Sequence, residues 1–287
     1  MYFQVLLKKK SFKIKRIFSI SVISILIFFT FCDTALPALA EAEMASAVLN
    51  SSNGRYITGK NDDQVLPVAS LTKLMTALVL LSLSSNLTKK VTITKAEINY
   101  TIPYIAKGDV TSKIEMKAGD KVTRNDLWNA MLIASSNEAA IALVDNSGLT
   151  RTQFVHRMNS KAKAFGLRHT KFYEPTGIDP GNVSTAIEMA IIARRAYAQP
   201  LIRQTSAKPS YLFKDLNTGR KISIYSRNNS LLAMNPLGMK VGYLTEAKMN
   251  VALRLKKSGK DRIVVILHAL NNAHRNAEIY RLMSKQF

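Results

Sequence analysis

The chain is 287 residues long, 47% hydrophobic and 21% charged, a composition that argues against disorder and leaves ample length for one or two packed domains. Its 41 Lys and Arg outweigh 19 Asp and Glu, which favours anionic surroundings. A single cysteine, Cys32, excludes a disulfide framework.

Residues 1–40 stand apart. Lys8, Lys9, Lys10, Lys13, Lys15 and Arg16 precede an apolar run at 17–32, and Ala38-Leu39-Ala40 supplies small residues at the spacing of a signal-peptidase site. The expectation is a signal peptide over 1–40 and an exported domain over 41–287, in the periplasm or on the outer face of the cytoplasmic membrane. An uncleaved anchor is the competing reading. The run is shorter than the ~20 residues of a typical span, and Phe31 directly before Cys32 argues against lipid attachment. Six basic residues and one acidic residue lie in 1–40, so 41–287 keeps 35 against 18, a net +17. Outside the cytoplasm the matching polyanions are anionic membrane lipids and acidic wall polymers, not nucleic acid. A generally basic surface without a dedicated partner is the alternative.

Residues 45–50 read as a strand, Ser52-Asn53-Gly54 as a turn and 55–58 as the returning strand of a hairpin. The run 71–83 is apolar on every face, which predicts a helix buried inside the domain. A short strand is expected at 91–94 and surface loops at 104–113. A helix capped by Thr123 or Asn125 runs to Ile133 and stops at Ala134-Ser135-Ser136-Asn137. Further helices are expected at 138–144 and 152–165, the latter ended by Gly166. Residues from roughly 85 to 200 are thus mainly helical. After Pro200 the pattern turns to β at 211–213, 221–225, 249–255 and 263–267, before a closing helix at 271–284. The first hairpin and these strands are expected to form one antiparallel sheet with the helical part inserted, an α/β (α+β) fold.

Ser70 and Lys73 lie three apart at the start of the buried helix, so one turn brings the amine within reach of the hydroxyl. The same spacing recurs at Ser160 and Lys163. Ser-x-Asn occurs at Ser51, Ser84 and Ser226 as well as at Ser135, and Lys-x-Gly at Lys117 and Lys257 as well as at Lys240. Setting separates them: Ser70/Lys73 opens a buried helix, Ser135/Asn137 sits between helices, and Lys240/Gly242 leads into a strand. The other pairs fall in a charged helix, turns or linkers.

Taken together with Ala134-Ser135-Ser136-Asn137-Glu138, Glu174-Pro175-Thr176-Gly177-Ile178, Asn182-Val183-Ser184-Thr185-Ala186 and Gly238-Met239-Lys240-Val241-Gly242-Tyr243, the chain resembles the low-molecular-weight penicillin-binding proteins. These are the serine D-alanyl-D-alanine carboxypeptidases and endopeptidases, of β-lactamase/transpeptidase-like fold. The short C-terminus is most similar to the endopeptidase branch, which lacks an extra C-terminal β domain.

The resemblance implies that Ser70 attacks a D-alanine carbonyl with Lys73 as base, and that Ser135 relays a proton to the leaving amine. Asn137 would hold Lys73 and the substrate amide. Lys240 would attract the substrate carboxylate and keep Lys73 neutral by repulsion, while the backbone N–H groups of Ser70 and Tyr243 would form an oxyanion hole beside Gly242. Substrates would be peptidoglycan peptides ending in or linked through D-alanine, with β-lactams as inhibitors. No cofactor or metal is implied: His156, His169, His268 and His274 are scattered and no His-Glu-x-x-His occurs.

Val241 replaces the threonine or serine usual between Lys240 and Gly242, and Leu244 the threonine two residues after that glycine. A lost hydrogen bond to a charged group costs about 1.5–3 kcal/mol. A slower enzyme, one acting on cross-linked peptide, or a non-catalytic wall-binding protein therefore stay open. Fast penicillin hydrolysis is disfavoured, because Glu174-Pro175-Thr176-Gly177 does not match the Glu-x-x-Leu-Asn setting of serine β-lactamases.

Overall fold

The computed structural model describes residues 43–83, 86–104, 112–226 and 228–284. The signal-peptide expectation for 1–40 and most of the expected loop at 104–113 lie outside them. In chain order, strands β1 (Ala45–Asn50), β2 (Tyr56–Lys60) and β3 (Leu66–Pro67) lead to helix α1 (Thr72–Ser82). Then come β4 (Lys90–Thr92), α2 (Lys95–Ile98), β5 (Lys121–Thr123), α3 (Arg124–Ile133), α4 (Asn137–Asp145) and α5 (Arg151–Ala164). After β6 (Val183–Ser184), α6 (Ala186–Ala198) and α7 (Pro200–Ser206), a ribbon of β7 (Ser210–Lys214) and β8 (Lys221–Tyr225) precedes α8 (Asn229–Leu232). The chain closes with β9 (Gly238–Leu244), β10 (Lys248–Lys257), β11 (Lys260–Ala269) and α9 (Asn272–Ser284).

The main sheet is five-stranded and antiparallel, in the order β2-β1-β11-β10-β9. It separates two apolar layers. One contains α1, α3 and α6, with Leu71, Leu74, Trp128 and Ile192 buried against Ala47, Ile263 and Val265. The other holds Ile279 and Leu282 of α9 against Val251, Leu253 and Ile266. Burying each such side chain contributes about 1.5–3 kcal/mol, so the sheet and its two layers form a rigid frame for whatever is attached to it.

Three expectations need correcting. β7 and β8 pair only with each other, not with the main sheet. Their side chains alternate, Phe213, Ile222 and Ile224 inward and Lys214, Lys221 and Tyr225 outward, as suits a ribbon with one wet face. The central strands β10 and β11 are instead apolar on both faces. The second correction is that α7 is helical where β structure was expected after Pro200, because proline is well placed at the first helical position. Finally, Lys240 and Gly242 lie within a strand rather than before one, and that strand is an edge of the main sheet.

Candidate active site

Ser70 stands in a single 3-10 turn, Ala69–Leu71, that runs into α1. Several elements pin this turn. The Val68 N–H donates to the Asn182 carbonyl at 2.9 Å, and Asn250 of β10 donates to the Pro67 carbonyl at 2.9 Å. Asn250 is itself held by the His268 N–H of β11 at 2.8 Å. Ala69 has a φ of +47°, a left-handed kink that turns the chain into the helix. Two glycines permit the close approach. A Cβ on Gly242 would come within 2.9 Å of the Ser70 nitrogen, and one on Gly177 would overlap the Ala69 carbonyl. Edge strand β9 therefore runs directly beside the serine's amide.

Lys73 is completely buried. Its Nζ lies 3.1 Å from Ser70 Oγ, 2.7 Å from Asn137 Oδ1 and 2.6 Å from the Thr176 carbonyl oxygen. The last two can only accept. A neutral amine satisfies them with its two N–H groups and leaves its lone pair for the serine proton. Burial pushes the Lys73 pKa down to about 8, while the carboxylates of Glu174 and Glu138 pull it partly back.

Lys240, also buried, donates to Ser135 Oγ at 2.8 Å and to the Val241 carbonyl at 2.9 Å. Its pKa falls well below the ordinary lysine value, first through burial and then through repulsion from Lys73. The resemblance implies that Lys240 helps keep Lys73 neutral by repulsion. Desolvation is the largest cause lowering Lys73, and the like-charge repulsion between Lys73 and Lys240, which acts on both, disfavours charging the two together.

Ser135 occupies the turn between α3 and α4 with a φ of +60°, an uncommon conformation for a serine and one often retained at functional sites. Ser136 caps α4 by accepting from the Ala139 N–H at 3.1 Å. That cap aims Asn137, at the first turn of α4, towards Lys73. On β9, Lys240 and Gly242 face the serine, whereas Val241 is half-buried against the apolar layer containing Met239 and Val251. Tyr243 follows, 58% exposed. Ser70, Lys73, Ser135, Asn137, Lys240 and Gly242 thus converge, with Tyr243 at the edge and Val241 turned partly away.

Ser84 lies outside the described residues, and among the described ones the competing pairs do not converge. Ser160 and Lys163 are exposed on α5, Ser51 lies in the β1–β2 turn, and Lys257 ends β10 at the β10–β11 turn.

Glu174 escaped the sequence reading as a site residue. Buried, it accepts from the N–H groups of Thr176 (2.7 Å), Ile178 (3.0 Å) and Gly177, from Thr176 Oγ1 (2.6 Å), from Asn182 Nδ2 (3.0 Å) and from the Tyr100 hydroxyl (3.1 Å). It folds the turn that presents the Thr176 carbonyl to Lys73. The two partners are 103 residues apart in sequence, so no local spacing signals the contact.

The model for D-alanyl-D-alanine carboxypeptidases matches residues 34–271. The D-alanyl-D-alanine carboxypeptidase DacF of Bacillus subtilis is 29% identical over 87% of this chain, which spans 63% of that relative's length. The D-alanyl-D-alanine endopeptidase of Pseudomonas aeruginosa is 30% identical, with 86% of this chain and 78% of that one covered. Among solved structures, the Streptomyces K15 DD-transpeptidase superposes with a TM-score of 0.75 at 29% identity, over 83% of this chain and 94% of its own. A match of that extent, on a chain with the same fold as that transpeptidase, places the protein in the D-alanyl-D-alanine carboxypeptidase family, a family of serine hydrolases.

Proposed function

We propose that the protein is an exported DD-peptidase of peptidoglycan in which Ser70 is the nucleophile and Lys73 its base. The carrying observation is the 3.1 Å approach of a fully buried Lys73 amine, its pKa lowered to about 8, to Ser70 Oγ. Ser70 gives its proton to Lys73 as Oγ bonds to the carbonyl carbon of a D-alanine. The oxyanion is received by the N–H groups of Ser70 and Tyr243, the second on the strand that Gly242 brings against the first. Collapse expels the amine, which takes up through the Ser135 hydroxyl the proton that Lys73 received, so that Lys73 is neutral again; Ser135 is itself tied to Lys240. Water then cleaves the acyl ester and restores Ser70. Lys240 attracts the substrate carboxylate, whose charge would in turn favour the protonated lysine.

Val241 supplies no hydroxyl at the carboxylate. This favours substrates whose carboxylate is presented differently from that of penicillin, as in a cross-linked peptide. The basic surface of 41–287, together with a signal segment at 1–40, suits work beside anionic lipids and wall polymers.

The test is labelling of the purified protein with a fluorescent penicillin. Wild type is expected to label and Ser70→Ala to stay blank; labelling that survives in Ser70→Ala would refute the assignment. Val241→Thr keeps a methyl in the same packing and adds a hydroxyl, and is expected to label about ten- to a hundredfold faster. Digestion of linear and cross-linked muropeptides then assigns the leaving amine. A wild type that neither labels nor digests would favour wall binding without catalysis.

A further inference from the structure

Ser70 stands at one end of α1. At the other, a cavity of about 610 Å³ opens between the last turns of α1, the β1–β2 turn, α5, α6 and α7. At 1.5 Å per residue along the helix, this is about 16 Å from the serine. Five cationic side chains line it: Lys161, Arg194, Arg195, Arg203 and Arg254. Among the described residues, only Arg254 has a carboxylate within ion-pair distance, Asp261 at 2.7 Å. Arg194 donates to the backbone carbonyls of Ser51 and Ser52, at 3.0 and 2.6 Å, and Arg203 to that of Tyr197 at 3.2 Å. Arg195 and Lys161 share the ring of Phe165, at 4.2 and 5.8 Å from its centre.

The bland account is that these cations answer the negative ends of α1, α5 and α6, which all terminate here. Three helix ends amount to about one and a half negative charges in all. Four cations without a carboxylate exceed that, and their mutual repulsion in a concave wall is relieved by a bound anion. Guanidinium forks match phosphate oxygens in pairs, and four cations suit a doubly charged group better than a carboxylate. The volume falls within the ~300–1,000 Å³ of small-molecule sites and exceeds what a lone inorganic ion needs. Phe165 offers apolar contact to an organic remainder.

We propose that this cavity binds a phosphate ester, the chemistry shared by phospholipid headgroups and soluble or polymeric glycerol phosphates. The proposal localises the basic-surface reading above and is independent of the acyl-transfer chemistry. Glycerol 3-phosphate is titrated calorimetrically into the full-length protein at about 150 mM salt, where exposed charges are well screened, with acetate as the singly charged comparison. Saturable binding of the phosphate ester, stronger than of acetate, is expected in wild type, in Ser70→Ala and in a Lys214→Glu/Lys221→Glu control on the distant ribbon. Roughly tenfold or greater weakening is expected in Lys161→Glu/Arg195→Glu. If that variant melts early, Arg195→Gln, which removes the charge without reversing it, serves instead.

Vesicles with and without phosphatidylglycerol distinguish the sources. Capture by the anionic vesicles that is lost in the cavity variant identifies a lipid headgroup, and glycerol phosphate binding without vesicle capture identifies a soluble or polymer phosphate. No saturable binding, or equal weakening in the ribbon control, overturns the proposal. Salt-sensitive vesicle adhesion that the cavity variant leaves unchanged, with no saturable glycerol phosphate binding, would retain the basic surface and reject the cavity.

Discussion

At the residue scale, the lysine beside the serine is prepared by the removal of water. With a pKa of about 8, Lys73 is neutral in about a tenth of molecules at pH 7. Acylation is therefore expected to climb about tenfold per pH unit below 8 and to level off above it, read by stopped-flow capture of a penicillin. Glu174 raises the Lys73 pKa, so Glu174→Gln removes an anion that stabilises the protonated amine. The midpoint should move to lower pH. The plateau should also fall, because an amide cannot accept from every donor that the carboxylate now satisfies. An unmoved midpoint would limit Glu174 to shaping the turn. The Ser70–Lys73 pair is legible in the sequence because one helical turn connects its members. Glu174 is not, because its importance lies in the six donors gathered round it by folding.

At the element scale, the site depends on backbone segments touching where side chains would keep them apart. Gly177 has a φ of +83° and faces the Ala69 carbonyl. Gly177→Ala is expected to cost about 1–3 kcal/mol through backbone strain alone, with further loss from the overlap, and to slow penicillin capture by displacing the Thr176 carbonyl. Thermal melting paired with labelling checks this; a variant with wild-type values in both would show that the turn relaxes freely. Helix α1 is anchored through its apolar faces, and Leu74→Ala, at a fully buried position, should destabilise by about 2–5 kcal/mol, measured by denaturant unfolding. The buried helix is legible because its sequence lacks a polar face. The fate of β7 and β8 was also present, in their alternation, but pairing partners are chosen by distant surfaces and the strands alone do not name them.

At the scale of the whole molecule, the site is a seam between the sheet and the helical part. Lys240 comes from the sheet edge, Ser70 and Lys73 from the helix in front of it, and Ser135 and Asn137 from the turn beyond. The charge on residues 41–287 is also a property of the whole, and adhesion to anionic vesicles is expected to weaken steeply as salt rises from about 50 to 500 mM. Salt-independent adhesion would assign the contact to apolar surface. The sequence by itself determined helices α1, α3, α4, α5 and α9, strands β1, β2, β10 and β11, the Ser70–Lys73 pair and the family, because each is written in local periodicity, in spacing within one turn, or in motifs carried whole. Only the tertiary structure decided which strands share the sheet, that burial is the main cause lowering Lys73, and that Glu174 holds the turn beside it. It also brought together the cations at the far end of α1. These depend on desolvation and on contacts between residues far apart along the chain, quantities that exist only once the chain has closed on itself.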